Sequence, residues 1–383
     1  MLPSLPASES EDTITITPDV RVEVSLPSLR HNFSEVRRTV PSPVRILAVV
    51  KGNGFGHGYV EPARAFLAAG ADMLGVTRID EALTLRQGGL DAPILVMAPI
   101  LPENSEAAVR YDLICAADSL ELCQALAAAA RRQEKQALVH VKVDTGMGRL
   151  GLLPEATPGF FRALAGIYGV TPTGIFTHFA TASESDPAAC RRQLVVFKET
   201  LAHLQAEKIA FGWAHAANSA AALRFPEAHF DMVRIGTLLY GQYPSASVPK
   251  SLNLQKTWEL IARVVSVREL PTGTAVGYGG EAVTKRPTRA AILPVGYADG
   301  FTLAPEGPIW RQSPFKLLAR KYRRTLSVQF GGKSAPVLGR VSMQLTVVDV
   351  TDLPEIGVGD EATIPALRLA TGAHIARIYR DEA

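Results

Sequence analysis

The sequence predicts an α/β protein: a closed (β/α)8 barrel of the TIM type, followed by a smaller, mostly β C-terminal domain. Two observations predict the barrel. Short apolar runs recur eight times before residue 250, and most of them are separated by stretches of helical composition. A third observation predicts the second domain, since helical periodicity almost disappears after residue 254. With 383 residues, the chain is long enough for one large and one smaller domain.

Each predicted barrel strand is a short apolar run that ends near a polar residue or a glycine. Continuous apolar strands are typical of a parallel sheet that is covered on both faces. The stretches between them, such as YVEPARAFLAAGA and DSLELCQALAAAARRQEK, have helical composition. The eight runs are ILAVVK (46–51), MLGVTR (73–78), PILVMA (93–98), LICAA (113–117), ALVHVKV (137–143), GIFTHF (174–179), FGWAHAA (211–217) and DMVRIG (231–236).

The domain boundary is predicted at PSASVPKSLNL (244–254), a turn-rich linker. Beyond it, segments such as LIARVVSVREL and LTVVDVTDL resemble β-strands joined by proline and glycine turns. We therefore predict a flexible N-terminal extension over 1–20, the barrel over 21–250 and the β domain over 251–383. The early segment VRVEVSL alternates like a strand and fits either domain.

Composition excludes several classes of protein. Hydrophobic content of 47% and charged content of 20% are those of an ordinary soluble protein, and no apolar run approaches the roughly 18 residues of a membrane span. The polar, acidic start is not a secretory signal. Net charge is only +3, and the densest basic cluster, RKYRR (320–324), fits a solvated loop better than a nucleic-acid surface. Three cysteines without metal-ligand spacing indicate a cytoplasmic protein with no metal site.

Polar residues stand at the ends of most predicted strands, where (β/α)8 barrels carry their catalytic residues. Lys51 ends the first run, and four glycines fall within the next seven positions. The lysine is either an ordinary surface residue before a turn or a reactive amine whose glycine-rich loop lets a flat ligand approach. The other polar strand ends are His178, Asn218, Ser219, Arg234 and the loop from Asp144 to Arg149.

Two adjacent strand ends predict an anion site. HAANSAAALRFP (215–226) begins a helix for which Asn218 or Ser219 is a natural N-cap. Free backbone N–H groups at a helix start bind anions, and this corner of a barrel often holds phosphate. RIGT (234–237) adds Gly236, whose N–H can approach the same anion. Either motif alone is equally consistent with an ordinary cap or turn, but the two together favour phosphate.

The run ALVHVKVD places His140 and Lys142 on one face of its strand. A lysine that points into a barrel core needs a carboxylate partner, a lowered pKa or chemical neutralisation, and Asp144 is a candidate partner. The following VDTGMGRLG presents Arg149, whose guanidinium suits a small carboxylate. An amine, a phosphate corner and a carboxylate-binding arginine on one rim suggest pyridoxal phosphate acting on an amino acid.

On these residues the chain resembles the alanine racemases of the barrel-fold pyridoxal phosphate class, from about residue 20 to residue 350. The order and spacing of the matching blocks make the resemblance specific, whereas the lysine-glycine block alone would not. The blocks are AVVKGNGFGHG, VKVDTGMGRLG, THFATA, HAANSAAALRFP, DMVRIG, VGYGG, VGYADG and VLGRVSM.

The resemblance implies an isomerase that interconverts L-alanine and D-alanine through an external aldimine and supplies D-alanine for the cell wall. It implies that Lys51 binds the cofactor and is the base on the D side of the substrate, and that Tyr278 is the base on the L side. Arg234 would face the pyridine nitrogen, which an always-charged arginine keeps unprotonated. In the family, Tyr278 and Met343 reach the site from the partner subunit, so a homodimer with composite active sites is implied.

Further residues have roles that the resemblance implies. His178 and His215 would link Tyr278 and Arg234 through hydrogen bonds, and Lys142 corresponds to a lysine that is carbamylated in several members. The remaining positions are Arg149 and the Met343 backbone at the substrate carboxylate, Asn218, Ser219, Gly236 and Thr237 at the cofactor, and Tyr297 and Arg340 as supporting residues.

The chain departs from the family pattern at the phosphate and at the entrance. Phe55 stands where the family usually has a phosphate-binding tyrosine. A second tyrosine, near the family's C-terminus, is replaced by Ala373 or His374, and Tyr379 lies about five positions away. We therefore predict weaker cofactor retention and a wider entrance. Two family aspartates are also replaced, by Gln344 and Ser183.

Three alternatives stay open. A racemase of broader specificity, acting for example on serine or lysine, would use the same chemistry in a larger pocket. A barrel-fold decarboxylase would place an acid at the pyridine nitrogen, and Arg234 argues against it. A non-catalytic pyridoxal phosphate carrier shares the barrel and the lysine, but it lacks a β domain in which VGYGG and VLGRVSM have a place.

Overall fold

The computed structural model describes residues 17–302 and 326–382. They divide into two compact units. The first contains Val22–Glu259 with Arg368–Ala373 and Arg377–Ala383, and the second contains Leu260–Leu367 with His374–Ala376 and the described part of Met1–Arg21. The predicted domain bounds stay a prediction. Most of the predicted extension 1–20 and the basic cluster 320–324 lie outside the described residues.

Eight parallel strands close a barrel in the first unit, as the fold class predicted. Strand β1 (Val20–Ser25) precedes them. Neighbouring barrel strands pair in chain order, and β2 completes the circle with β9, where Leu47 lies opposite Arg234. The barrel strands are β2 (Arg45–Val49), β3 (Met73–Val76), β4 (Ile94–Val96), β5 (Leu113–Ala117), β6 (Ala137–Lys142), β7 (Val170–Phe176), β8 (Trp213–His215) and β9 (Met232–Ile235).

Helices separate the barrel strands where the sequence has helical composition. Ser25 and Ser119 cap two of them, since each hydroxyl accepts a hydrogen bond from a backbone N–H of the first turn. The helices are α1 (Leu26–Thr39), α2 (Lys51–Phe55, a single irregular turn), α3 (Val60–Ala68), α4 (Ile79–Gln87), α5 (Ser105–Arg110), α6 (Leu120–Arg132), α7 (Thr157–Ala165), α8 (Ala188–Ala206) and α9 (Ser219–Arg224).

Apolar side chains from five barrel strands form one buried layer. Because these side chains are almost completely buried, the layer stabilises the barrel that carries the strand ends. Phe55 and Met97 are partly buried and pack against the same layer, so it borders the polar rim. Its members are Leu47, Val49, Met73, Leu95, Ile114 and Met232.

The second unit is built of β-strands, which agrees with the predicted mostly β domain. Antiparallel sheets have the orders β16-β15-β18-β10 and β11-β14-β17, and β12 pairs with β13. The strands are β10 (Trp258–Arg263), β11 (Ser266–Leu270), β12 (Ala275–Val276), β13 (Ala282–Val283), β14 (Thr288–Leu293), β15 (Ser327–Phe330), β16 (Lys333–Pro336), β17 (Thr346–Asp349) and β18 (Glu361–Ile364). The last strand, β19 (Ala376–Arg380), belongs to the first unit from Arg377 onward.

The start of β1 belongs with the second unit. The N–H of Arg263 donates to the carbonyl of Asp19 at 2.8 Å, and Arg21 forms an ion pair with Glu361 at 2.8 Å. This answers the ambiguity of VRVEVSL, since the strand crosses the division between the units at Arg21.

Two further findings concern ligands and membranes. All three cysteines are buried and unpaired, and burial raises the pKa of Cys115 and of Cys123 to about 12. Across residues 17–302 and 326–382, no group of three or more His, Cys, Asp or Glu side chains is arranged to hold a metal ion. Within the same ranges, every helix is too short or too polar to cross a bilayer.

Candidate active site

Lys51 lies two residues beyond strand β2, where the backbone enters a left-handed turn. Residues 52–55 all have φ between 53° and 61°. Glycine adopts this conformation freely, whereas a bulky residue such as Phe55 does so at a steric cost. The Lys51 side chain lines a cavity of about 220 Å³. Removal from bulk water, together with the charges of Arg149 and Arg234, lowers the pKa of the Lys51 amine below its ordinary value.

A buried carboxylate that our sequence reasoning missed holds the start of this turn. Glu81 in α4 is only 4% exposed. Its Oε1 accepts from the N–H of Gly52 at 2.7 Å, and its Oε2 accepts from those of Thr77 and Arg78 at 2.9 and 3.1 Å. In the sequence, Glu81 is only an acidic residue in the first turn of a helix, a pattern that ordinary helices share.

Arg234, on strand β9, is buried with its guanidinium hydrogen-bonded on several sides. Nη2 donates to the carbonyls of Thr177 and Ala216, at 2.7 and 3.0 Å. Nη1 donates to Nδ1 of His215 at 2.9 Å, and Nη2 to Nδ1 of His178 at 3.2 Å. Burial lowers the pKa of Arg234 to about 9, so the side chain stays charged at neutral pH.

These bonds determine where the histidine protons lie, because arginine can only donate. His178 and His215 accept at Nδ1, so each carries its proton on Nε2. Nε2 of His215 then donates to Nδ1 of His140 at 2.8 Å. The proton of His140 is therefore on its own Nε2, which has no hydrogen-bond partner among the described residues. The sequence placed His140 only on the face of Lys142 and gave it no role.

The three histidines are uncharged. Burial first, and the charge of Arg234 second, lower the pKa values of His140 and His178 to about 3 and that of His215 well below its ordinary value. The ring of His215 also stacks on Phe176, with 2° between the ring planes. The charged guanidinium of Arg234 is thus linked by hydrogen bonds to a layer of neutral histidine rings.

Lys142 lies in the same layer, with Nζ 4.3 Å from the centre of the Phe176 ring. In the described part of the chain it has no carboxylate within ion-pair distance. Burial, and then the charges of Arg234 and Arg149, lower the pKa of Lys142 to about 7. The lowered pKa increases the neutral fraction of the amine at neutral pH, and a neutral amine is the form that can become a carbamate. Carbamylation of Lys142 stays a prediction.

Asp144, the candidate partner of Lys142, instead folds the loop that carries Arg149. Its carboxylate accepts from the N–H groups of Gly146, Met147 and Arg149 at 2.9, 2.7 and 3.1 Å. The Arg149 side chain is exposed at the edge of the barrel rim. The loop therefore presents Arg149 to solvent, close enough to affect the pKa of Lys51.

The predicted phosphate corner is formed by the ends of β8 and β9. Asn218 is the N-cap of α9, because its Oδ1 accepts from the N–H groups of Ala220 and Ala221 at 3.1 and 3.0 Å. Ser219 Oγ accepts from the N–H of Gly236 at 2.9 Å and joins the two strand ends, so this N–H is bonded within the protein, whereas the sequence predicted that it approaches an anion. The cavity is lined by Val49, Lys51, Phe55, Met97, His178, Ser183, Asn218, Ser219, Ala220, Arg234, Gly236, Thr237 and Pro244. It brings together all the predicted cofactor residues.

The second unit carries the remaining predicted residues. Tyr278 is 71% exposed and Met343 is 58% exposed. They line a groove of about 500 Å³ together with Pro294, Ser342, Gln344 and Leu345. Exposed apolar side chains grouped in this way are typical of interaction surfaces. The two predicted supporting residues, Tyr297 and Arg340, each make a contact within the second unit. The Tyr297 N–H donates to the carbonyl of Ser342 at 3.1 Å, and Arg340 forms an ion pair with Glu281.

The departures from the family pattern also have defined places. Phe55 packs against Tyr240 with 4.7 Å between ring centres, and the far end of its ring faces Gly236. Tyr379 lies outside the cavity, and its hydroxyl donates to the carbonyl of His57 at 3.0 Å. Tyr379 therefore does not take the place in the cavity that the resemblance implies for the family's C-terminal tyrosine.

Comparison with known proteins gives one consistent family. The family described as alanine racemase, N-terminal domain, matches residues 24–244, and alanine racemase, C-terminal domain, matches residues 257–378. An alanine racemase from Desulforamulus reducens is 40% identical over 344 residues, which cover 89% of this chain and 88% of that protein. The resemblance that the motifs indicated is confirmed.

Solved structures agree with this result. Alanine racemase from Clostridium difficile 630 has a TM-score of 0.87 and 28% identity, and the match covers 96% of this chain and 97% of that one. A structure described as the same enzyme in complex with cycloserine has a TM-score of 0.86 and 26% identity, with the same coverage.

Proposed function

The chain belongs to the alanine racemase family of isomerases, and on that premise we propose that it interconverts L-alanine and D-alanine with pyridoxal phosphate as its cofactor. One observation supports this most directly: the Lys51 amine lies in one cavity with Arg234 and His178, and its pKa is lowered. A lowered pKa leaves more of the amine unprotonated, and only that form attacks an aldehyde or accepts a proton.

The cavity fits this cofactor in charge and in shape. Lys51 and Arg234 line it, and Arg149 lies near, so positive charge is available for a phosphate and a substrate carboxylate. Gly236 leaves one wall bare, since a Cβ there would collide with the ring of Phe55. In the proposed complex, Lys51 would hold the cofactor through its aldehyde, Arg234 would face its ring, and Ser219, Gly236 and Thr237 would surround its phosphate.

In the proposed reaction, each face of the substrate α-carbon has its own base. Pyridoxal phosphate, when bound, makes the α-hydrogen of an amino acid acidic. Nζ of Lys51 accepts that hydrogen as a proton on one face, leaving its electron pair to the cofactor, and returns the proton when the reaction runs the other way. Arg234 keeps its proton throughout, because its pKa of about 9 leaves it charged at neutral pH.

We assign the second base to Tyr278 of the partner subunit. Its hydroxyl oxygen holds the proton for the opposite face of the α-carbon. The side chain is exposed beside Met343 in the groove of the second unit, where another copy of the chain can cover it. The proposed enzyme is therefore a homodimer with composite active sites.

The test of this function is the loss of optical rotation from L-alanine, catalysed by the enzyme loaded with pyridoxal phosphate. We expect Tyr278→Phe to lower kcat at least about 100-fold, because a positioned acid-base group contributes about 10²–10⁴-fold. If the wild-type protein binds the cofactor but racemises no amino acid, the proposed enzymatic function is wrong and a non-catalytic pyridoxal phosphate carrier is favoured.

Mixing two inactive variants tests the origin of Tyr278. If Lys51→Ala and Tyr278→Phe chains are refolded together, half of the dimers are mixed, and each mixed dimer has one site with both bases. Activity should return to roughly a quarter of the wild-type value, since two-fold symmetry pairs the intact residues across the interface. Absence of recovery would place both bases in one chain.

Ser183, a small side chain on the cavity wall, supports a second candidate, a racemase of broader specificity. L-serine and L-lysine should therefore be assayed beside L-alanine. Comparable kcat/KM values for the three would favour the broader enzyme, and strict preference for alanine would exclude it.

A further inference from the structure

The lysine loop, residues 51–58, adopts a backbone that needs support from outside. Asn53 and Phe55 have φ of 55° and 53°, and this left-handed conformation costs about 1–2 kcal/mol for a residue with a side chain. Hydrogen bonds within the loop are short-range, such as Gly58 N–H to the carbonyl of Asn53 at 2.9 Å. Such bonds leave the carbonyls of Gly56 and His57 pointing away from the turn, where other segments can reach them.

The carbonyls of Gly56 and His57 accept hydrogen bonds from residues that are distant in the sequence. The Tyr379 hydroxyl donates to the carbonyl of His57 at 3.0 Å. Trp258 Nε1 donates to the carbonyl of Gly56 at 3.2 Å, and the Arg377 guanidinium approaches the same atom at 3.4 Å. Two residues of β19, more than 300 positions from the lysine loop in sequence, thus bond its backbone.

The fit between the two segments requires glycine at two points of the loop. A Cβ on Gly58 would collide with the hydroxyl of Tyr379, and a Cβ on Gly56 would collide with the carbonyl of Arg368. Both glycines also have φ near +90°, which other residues rarely adopt. The glycines of GFGHG therefore admit the C-terminal segment, in addition to any role at the ligand.

The C-terminal segment is itself anchored beside the cavity. Arg368 is only 6% exposed, and its guanidinium donates to the carbonyl of Tyr240 and to Oε1 of Gln242, both at 2.8 Å. Tyr240 in turn contacts the ring of Phe55, which lines the cavity, and donates to the carbonyl of Val49. A continuous path of contacts therefore leads from the segment to the cavity wall.

We propose that Tyr379, with Arg377 and Arg368, forms a clamp that positions the lysine loop for cofactor binding. The clamp touches neither the cavity nor the reacting atoms, so these are positioning residues. The clamp contacts the backbone of residues 56–58. Because these residues directly follow the turn 51–55, the clamp fixes the positions of Lys51 and Phe55 through that backbone. This inference rests on the proposed function only where it speaks of the cofactor, because the contacts to the loop are independent of it.

The test compares Tyr379→Phe with Tyr243→Phe in the full-length chain. Tyr243 is a matched control, since its half-buried hydroxyl donates to the carbonyl of Leu252 at 2.8 Å, away from the lysine loop. Hydrogen exchange of the 51–58 amides, measured by mass spectrometry without cofactor, should be about fivefold faster in Tyr379→Phe and unchanged in Tyr243→Phe. The Kd for pyridoxal phosphate, measured by titration, should rise about fivefold in Tyr379→Phe alone.

The two readouts separate the clamp from the proposed function. Equal loop exchange in all three proteins, or equal acceleration in both variants, would overturn the clamp. Faster exchange with an unchanged Kd would overturn its role in cofactor binding. A wild type that binds no pyridoxal phosphate would overturn the proposed function, while the exchange data would still decide whether the clamp holds the loop.

Discussion

Phe55 is the residue at which this chain differs most clearly from the family pattern in the cavity. Its backbone is left-handed, its ring is held by Tyr240, and the end of the ring faces Gly236 at the phosphate corner. A hydroxyl added to that end would therefore lie beside the proposed phosphate. The ring now supplies only an apolar contact at this point.

We expect Phe55→Tyr to bind pyridoxal phosphate about five- to tenfold more tightly, because one hydrogen bond contributes about 1–1.4 kcal/mol. The measurement is the Kd from titration of cofactor-free enzyme followed by absorbance. An unchanged Kd would show that the cofactor is retained without a hydroxyl here, and would contradict the predicted weak retention.

At the residue scale, the sequence predicted the members of the cavity better than the contacts behind them. Lys51, His178, Arg234 and Gly236 were found because each ends an apolar run. Glu81 was not found, nor was the His140 nitrogen that lacks a partner among residues 17–302 and 326–382, because a buried acid or histidine takes its role from neighbours that are distant in the sequence.

Among the elements, the left-handed turn was beyond sequence reasoning while the barrel strands were not. Strands followed from continuous apolar runs, whose burial is local in the sequence. The turn is bonded by Glu81 at its start and is contacted by Arg368 and Tyr379 at its end, all of them distant from it in the sequence. The glycine content indicated a conformationally permissive backbone there, but it could not show that the backbone is left-handed.

Helix α9 allows a prediction at this scale, because its cap serves both stability and the phosphate corner. Asn218→Ala should lower the free energy of unfolding by about 1 kcal/mol and also raise the Kd for pyridoxal phosphate. Ser119→Ala is the control, since Ser119 caps α6 in the same way and lies outside the cavity lining. Urea unfolding and cofactor titration of both variants give the comparison.

If Ser119→Ala weakened the cofactor as much as Asn218→Ala, the effect would come from general loss of stability. Loss of stability without a change of Kd in Asn218→Ala would remove the N-terminus of α9 from the proposed phosphate site.

For the whole molecule, each unit holds only part of the proposed machinery. The cavity contains Lys51 and Arg234 and is lined by residues of the first unit, whereas Tyr278 and Met343 are exposed on the second. The sequence predicted both architectures, because barrel and β domain differ in periodicity. It could identify Tyr278 only through the VGYGG block, since no pattern of burial marks an exposed tyrosine as catalytic.

The layer of neutral histidines beneath Arg234 links folding to acidity. Unfolded histidines take up a proton near pH 6.5, but in the folded chain the pKa values of His140 and His178, and also that of His57 in the lysine loop, are about 3. Between these limits the unfolded state binds more protons, so the free energy of unfolding decreases as pH falls from 6.5 toward 3. Each histidine contributes up to about 1.4 kcal/mol per pH unit.

Urea midpoints should therefore fall between about pH 7 and pH 5, and His140→Asn should reduce the slope by about one proton. A midpoint independent of pH over this range would mean that the rings are already charged in the native state. Because the rings stay neutral in the folded chain down to about pH 3, mild acid protonates histidines of the unfolded chain and stabilises that state, so acidification itself acts on the fold as a denaturant.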